Sequence, residues 1–530
     1  MGDTALQRKT DSRHFVPVRG SRLSSVPTTA TLDERVEALE EEASKLTLLL
    51  NMSQGLSSEK DLDTIMEQIV DHTTRIMNCE RSSVLLLDSE KGELYSLVAQ
   101  DLEVKELRFS VQTGIAGYCA REGVGLNIPN AYMDSRFNPA LDKATGYRTV
   151  SVLCMPLHDR KGDTLGVIQC LNKKSAKDLP GTFTDKDEVV LSAVASQAGV
   201  YLDNAALRRQ MDTLFEAFVE ATSRSIDDRD PCTSGHSRRV MMYSLNLARA
   251  IHECTVPPFD QITYTRERMR QLRYASLLHD VGKIGVREYI LCKAHKLLPA
   301  YLEMIRCRFE MRRERSRADC LARCVLEKLD MAQIISEVHE PFCANLNAAL
   351  KLIEMANDAH FIADKDVAAL QQIHAMGWIT ADELLNLCVR RGNLTEDEWV
   401  DMRSHVTKSF RMLIQIPWPS ELKDLPEVAY THHEKYDGSG YPRKLIGEAI
   451  HFDGQIMCVA DIYDALTASD RPYKKAIPHE KAERILMEEE AERGRIMPEL
   501  VKLFFSAKCY NISEQTPSPT GFWRTAIAGS

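Results

Sequence analysis

LLHDVGK (residues 277–283) and YTHHEKYDGSGYP (430–442) decide how the C-terminal half of this 530-residue chain is read. The first places His279 beside Asp280; the second places His432 beside His433. Around them stand His236, His405 and Asp461. Imidazole and carboxylate heads suit a first-row divalent metal. Seven such groups exceed what one tetrahedral zinc needs, and suit a two-metal site with positions open for water and substrate. Asp280 can bridge two cations through its two oxygens while the histidines fill the outer positions. Lys283 follows Asp280 by one helical turn, so the spacing predicts it on the same helix face, as a point charge beside the metals. Gly438 and Gly440 are expected to let backbone approach a ligand closely, and Tyr441 then Pro442 to give an extended exit.

Five stretches carry a resemblance: DPCTSGHSRRV (230–240), HDVGKIG (279–285), LTEDEWVDMRSH (394–405), HHEKYDGSGYP (432–442) and ADIYDALTASDRPYKKA (460–476). Together they resemble the HD-GYP family of bacterial cyclic dinucleotide phosphodiesterases, over about residues 212–513. The resemblance implies an all-α catalytic domain. It implies metal ligands at His236, His279, Asp280, His405, His432, His433 and Asp461. Asp280 and Lys283 are implied as the catalytic pair, with Lys283 on a substrate phosphate and Arg471 and Lys474 on the other phosphate. Gly440, Tyr441 and Pro442 are implied as the loop that names the family. Two divalent ions, iron or manganese, are the implied cofactors, and cyclic di-GMP the implied substrate, opened to pGpG and/or GMP. Relatives that bind a third metal carry a Glu four residues before the first His; Cys232 stands there, which favours two.

Two features depart from that family. Its ILxKPGKLTxxE segment occurs in two pieces, ILCKAHKLLPAYLEMIR (290–306) and VRRGNLTEDEWVDMR (389–403). The residues between, at about 298–390, have helical apolar spacing in ALKLIEMA and ADELLNLCV. A helical insert that decorates the surface is expected, with lid and partner-docking roles as alternatives. IMPEL (496–500) lacks an Asp that the family carries before its Pro, a position that binds no metal.

Upstream, SSVLLLD, GELYSLVA, LRFSV, SVLCMPL and LGVIQCLN are β-rich runs split by turn signals, flanked by helical patterns at DLDTIMEQIVDHTTRIM and DEVVLSAVASQAGVYLDNAAL. They predict an α+β domain, an antiparallel sheet with flanking helices. Asn172, Lys173, Phe183, Asp187 and Glu188, with the stretch NIPNAYMDSRFNPALDKATGYRTVSVLCMPL (127–157), resemble the cyclic-nucleotide-binding GAF domains of vertebrate phosphodiesterases and bacterial adenylyl cyclases. The resemblance implies that Lys173 and Asp187 close a ligand pocket from outside. It implies a pocket of Ser83, Ile115, Ala116, Asp142, Thr145 and Thr149 that takes cAMP or cGMP as effector.

The resulting organisation is a 1–30 N-terminus without structure, a 31–57 coiled-coil helix, a GAF domain over 58–206, a connecting helix over 207–226, the catalytic domain over 227–513 and a 514–530 tail. Leu32, Val36, Leu39, Ala43, Leu46 and Leu50 form a heptad, hence an expected parallel homodimer. Leu207, Met211, Leu214, Phe218 and Ala221 repeat the pattern along the connecting helix. Hydrophobic content of 44% and charged content of 27% are ordinary for globular protein, and a net charge of −10 gives no basic footprint for nucleic acid. Fourteen Cys with no CxxC read as reduced thiols, no apolar run reaches membrane-span length, and the N-terminus lacks a signal-peptide core. A cytoplasmic enzyme is expected. The alternatives are a hydrolase of hybrid cyclic GMP–AMP and a catalytically silent signalling module.

Overall fold

The computed structural model describes residues 62–96, 107–175, 181–229, 235–328, 330–468 and 476–512, together with Ala43, Thr47 and Leu50. Most of the Leu32–Leu50 heptad, Cys232, Arg471 and Lys474 therefore lie outside the described residues. The chain divides into an N-terminal α+β unit and a C-terminal helical unit, with the division near Leu214.

In the first unit six strands form one antiparallel sheet in the order β3-β2-β1-β6-β5-β4. They are β1 (Cys79–Asp88), β2 (Glu93–Ser96), β3 (Leu107–Ser110), β4 (Leu126–Ile128), β5 (Val152–His158) and β6 (Thr164–Lys173). The run Val84-Leu85-Leu86 has no polar alternation because both faces of β1 are covered. Val84 and Leu86 pack under the helices Leu62–Met77 and Asp185–Arg229. Leu85 faces the opposite way, against Ile115, Ala116 and Cys119 of the helix Gly114–Glu122. That helix and β4 are absent from the sequence reading. The helix is only nine residues long and β4 only three, too short for a clear periodic signal.

The helix Asp185–Arg229 runs unbroken for 45 residues, longer than the 207–226 connector expected. Along it Leu207, Met211, Leu214 and Phe218 are 46%, 71%, 71% and 63% exposed. Val219 and Ile226 turn into the core of the second unit.

That core is built from His236–His252, Arg266–Leu278, Leu425–Tyr430, Phe452–Thr467 and Pro498–Ser506. The helix Glu396–Leu413 packs against the turn Val281–Gly285 and against Leu425–Tyr430. Its entry reads as a capping box: Thr395 accepts from the Glu398 N–H while Glu398 Oε2 accepts from the Thr395 N–H at 2.9 Å.

The insert is more than surface decoration. Ile305, Phe309, Leu346, Ile353, Leu370, Ile373, Trp378 and Leu387 form a separate apolar core, in which Trp378 meets Phe309 and Phe342 edge-on at 5.8 and 5.9 Å. The two pieces of the split segment still meet at its base. Nζ of buried Lys293 contacts Glu398 Oε2 at 2.6 Å and Asn386 Oδ1 at 2.8 Å. The inserted helices thus leave and rejoin the parent fold at one point.

Candidate functional site

Five of the seven candidate ligand positions lie at or near helix ends, and each is positioned by its own backbone. His236 opens its helix after Gly235, which holds φ at 66°. His279 closes the helix Arg266–Leu278 as its C-cap, and Asp280 begins the following turn. His432 and His433 follow the helix Leu425–Tyr430. His405 and Asp461 sit on longer helices, Glu396–Leu413 and Phe452–Thr467.

Three of the imidazoles are oriented alike. Nδ1 of His279 meets the Ser276 carbonyl at 2.7 Å, Nδ1 of His405 the Met402 carbonyl at 2.6 Å, and Nδ1 of His432 the Ala429 carbonyl at 2.5 Å. A proton on Nδ1 leaves the Nε2 lone pair for a metal. Nε2 of His405 and of His432 are buried and make no hydrogen bond, although His405 Nε2 stands 3.2 Å from Asp280 Oδ1. Buried nitrogens without partners are costly, and a cation would satisfy them.

The donor atoms fall into overlapping groups whose members all lie within 4.8 Å of one another: His236, His279 and Asp461; His279, Asp280 and His432; and His405, His432 and His433. Asp280 spans them. Its Oδ2 lies 3.3 Å from His279 Nε2 and 3.7 Å from His236 Nε2, while Oδ1 faces His405. Asp461 lies 3.3 Å from His236 Nε2 and 3.7 Å from His433 Nδ1. The residues present therefore fit a pair of divalent ions, one cluster on each side of Asp280, with nitrogen and oxygen donors only.

Electrostatics agree with that fit. Burial pushes His432 down to about 3, and burial with the neighbouring His432 takes His433 well below its ordinary value. Both offer neutral imidazole. Burial would lower His236 too, but hydrogen bonds to Asp461 and Asp464 push it up to about 9. Asp280 is held far below the carboxylate range: burial opposes this and His279 and Lys283 outweigh it. Asp280 is thus anionic and His432 and His433 neutral, as a cation requires, whereas His236 and His279, which the neighbouring carboxylates raise against the effect of burial, would each give up a proton to it.

Several expectations change. Lys283 is not on the α-helix of His279. It lies in the 3-10 turn Val281–Gly285, where residues three apart eclipse, so Nζ comes to 2.9 Å from Asp280 Oδ2. Gly440 does not open room for a ligand: a Cβ there would stand 2.2 Å from the Lys435 nitrogen, so the glycine serves the loop's own crossing. At Gly438, with φ of 79°, a Cβ would meet Ile446 at 2.7 Å. The Tyr441–Pro442 peptide is cis and residues 441–443 bend rather than extend. The Tyr441 ring lies 4.8 Å from that of His433.

Sequence reasoning missed Asp464 and Gly282. Asp464 Oδ2 stands 2.8 Å from His236 Nδ1, and both its oxygens accept from Arg239. Its spacing of three from Asp461 on one helix was the available signal. At Gly282 a Cβ would lie 2.1 Å from the His405 carbonyl oxygen, so only glycine lets that helix approach the Asp280 turn.

In the α+β unit, Lys173 Nζ meets Asp187 Oδ1 and the Met77 carbonyl, each at 2.8 Å. Asn172, at φ 55°, donates to Glu80, Tyr147 and the Arg148 carbonyl and accepts from the Val150 N–H. Glu188 accepts from Asn127 at 2.9 Å, and Phe183 is buried. The signature thus clasps β6 to the flanking helices. Five of the six implied pocket residues are already engaged. Asp142 accepts from the Thr149 N–H and hydroxyl at 2.7 and 2.8 Å and from Tyr132 at 3.0 Å. Ser83 accepts from Gln169, and Ile115 and Ala116 are packed. Thr145 ends the helix Ala140–Thr145.

Family models match a GAF domain over residues 61–202 and HD domains over 233–369 and 331–500. The chain carries a GAF domain followed by an HD domain. It is 35% identical over 158 residues to the probable 3',5'-cyclic phosphodiesterase pde-5 of Caenorhabditis elegans, covering 28% of this chain and 21% of that protein. It is 33% identical over 176 residues to the dual 3',5'-cyclic-AMP and -GMP phosphodiesterase 11 of Drosophila melanogaster, covering 30% and 12%. The chain thus spans about a fifth or less of these relatives. Among solved structures, the GAF domain of an Acinetobacter phosphoenolpyruvate-protein phosphotransferase is 20% identical, with a TM-score of 0.27 over 32% of this chain and 98% of that one. No described helix is long and apolar enough to cross a membrane.

Proposed function

We propose that this chain is a dimeric, metal-dependent phosphodiesterase that opens cyclic di-GMP to pGpG and/or GMP, under control of cAMP or cGMP at the GAF domain. The observation that carries the reading is Asp280, whose two oxygens face separate histidine clusters. His236, His279, Asp280 and Asp461 would hold one ion; Asp280, His405, His432 and His433 the other. Bound there, iron or manganese would supply an activated water and charge neutralisation for phosphoryl transfer.

The chain's own groups do the rest. Three backbone carbonyls fix the imidazoles before any ion arrives. Lys283 would meet a non-bridging oxygen of the reacting phosphate from its place beside Asp280. Arg471 and Lys474 would hold the second phosphate. Exposed Leu207, Met211, Leu214 and Phe218, at four-three-four spacing, support a parallel pairing of the long helix between two copies.

The names of the relatives favour a second reading, hydrolysis of cyclic mononucleotides. Turnover by the manganese- or iron-loaded full chain decides between them, using cyclic di-GMP, cyclic GMP–AMP, cAMP and cGMP as substrates. Opening of cyclic di-GMP supports the proposal. Opening of cAMP or cGMP alone replaces it, and no turnover at two bound ions leaves the silent module.

A further inference from the structure

The ligand cluster is closed on most sides. His236, His279, Asp280, His405 and His432 are buried, whereas the His433 and Asp461 side chains keep 25% and 14% of their surface. Substrate must therefore reach the ions past His433. Against His433 lies the Tyr441 ring, and over Tyr441 stands the guanidinium of Arg403, 5.3 Å from the ring centroid. The same guanidinium is 5.4 Å from the Trp399 ring.

Trp399 and Arg403 are four apart on the helix Glu396–Leu413, so they share a face. Trp399 is 39% exposed and Arg403 is exposed. Among the described residues no carboxylate pairs with Arg403; its contacts are the two rings. Aromatic faces fix the plane of a guanidinium and lower its ordering cost while leaving its N–H edges for a ligand.

We infer that Arg403 reads the nucleobase of the substrate, pairing its fork with O6 and N7 of guanine while Trp399 and Tyr441 hold it in plane. The inference rests on the phosphodiesterase reading above. A base is favoured over a phosphate because that reading already gives the phosphates to the ions, Lys283, Arg471 and Lys474. The fork matches the guanine edge, and adenine offers a donor where guanine offers O6.

The test uses the full manganese-loaded chain and the variants Arg403→Ala, Arg403→Lys and Trp399→Ala. KM and kcat are measured for cyclic di-GMP, and Ki for cyclic di-AMP as a competitor of that hydrolysis. Both Arg403 variants should raise KM for cyclic di-GMP about tenfold or more, keep kcat within about twofold, and leave Ki for cyclic di-AMP unchanged. Trp399→Ala should do the same more weakly. Unaltered metal content and melting temperature would show that the variants are folded. Equal weakening of both dinucleotides, or rescue by Arg403→Lys, would overturn base reading in favour of a charge that meets phosphate. No change in either would reduce the trio to a surface contact. A wild-type chain that does not open cyclic di-GMP would remove the phosphodiesterase reading itself, and this inference with it.

Discussion

Asp464→Asn tests whether the metal centre depends on a residue that binds no metal. Asp464 Oδ2 is 2.8 Å from His236 Nδ1, and its two oxygens accept from Arg239 Nε at 2.6 Å and Arg239 Nη2 at 3.1 Å. The carboxylate thus keeps the His236 proton on Nδ1 and turns Nε2 toward Asp280 and Asp461. An amide has one acceptor oxygen. If that oxygen stays with His236, the NH2 group confronts the Arg239 N–H. If it turns to Arg239, His236 faces a donor and its proton shifts to Nε2, where an ion should bind. Partners of this kind are worth about 10–100-fold in metal affinity, or roughly 1.4–2.7 kcal/mol. Hydrogen bonds to charged groups contribute about 1.5–3 kcal/mol each, but the Arg239 side chain keeps 24% of its surface, so water would replace part of the loss. The net fall in stability should be about 2 kcal/mol. Calorimetric titration of manganese into chelator-stripped protein reads the affinity, and circular dichroism the fold. Weakening confined to the His236 cluster, with helical content retained, is expected. Unchanged affinity at full stoichiometry would refute the tautomer argument.

Other perturbations address separate links. Asp280→Ala should abolish hydrolysis and lower bound metal while the helices persist; full activity would remove Asp280 as the bridge. Gly282→Ala should push the Glu396–Leu413 helix away from the Asp280 turn, with an overpacking cost of about 1–3 kcal/mol and weaker metal binding, visible by melting and titration. Phe309→Ala should cost the insert about 3–5 kcal/mol; hydrogen exchange should rise across 299–387 and stay unchanged around His279. Leu214→Glu with Phe218→Glu should raise the dimer dissociation constant in sedimentation runs, and an unaltered value would exclude pairing along that face. Burial opposes the lowered pKa of Asp187, and Lys173 and the Thr184 N–H produce it. A depressed folded value means that the clasp stabilises above the ordinary carboxylate range and fades as pH falls through that lowered value. Asp187→Asn should flatten the acid-side loss of hydrogen-exchange protection in residues 79–173.

The candidate metal ligands stood out in the sequence because their chemistry is uncommon and each stands in a short local word. Histidine next to aspartate or histidine, followed at fixed distance by Lys or Gly, narrows the reading before any fold is known. The structure brings those seven side chains together from distant parts of the chain. The residues that hold them in place are ordinary in sequence. Asp464 is one of many acidic residues, and nothing local says that its partners are His236 and Arg239, more than two hundred positions away. Lys293 and Glu398 were visible as fragments of one interrupted motif, but their pairing across 105 residues appears only when the insert is seen to close on its own core.

The errors have the same origin. Gly440 was assigned to the substrate because a local reading sees only a permissive backbone; in space it answers to Lys435. Lys283 was placed on the helix of His279, and in space it stands beside Asp280 in the following 3-10 turn. Asp142 poses the same question in the GAF domain: its oxygens already accept from Thr149 and Tyr132, so an effector that needs more than the lone pair left on Oδ1 would displace those bonds. Effector binding with these contacts intact would leave Asp142 a structural residue. Binding that removes them would tie ligand entry to a rearrangement around the helix Ala140–Thr145. Asp142→Asn separates the cases. It keeps the Thr149 hydroxyl as a donor to one oxygen and loses the second acceptor that serves Tyr132 and the Thr149 N–H. If Asp142 is structural, melting temperature falls while the effector's dissociation constant moves by less than about twofold. If the bonds must open for entry, weakening them tightens binding as stability falls, because less of the binding energy is then spent on the rearrangement.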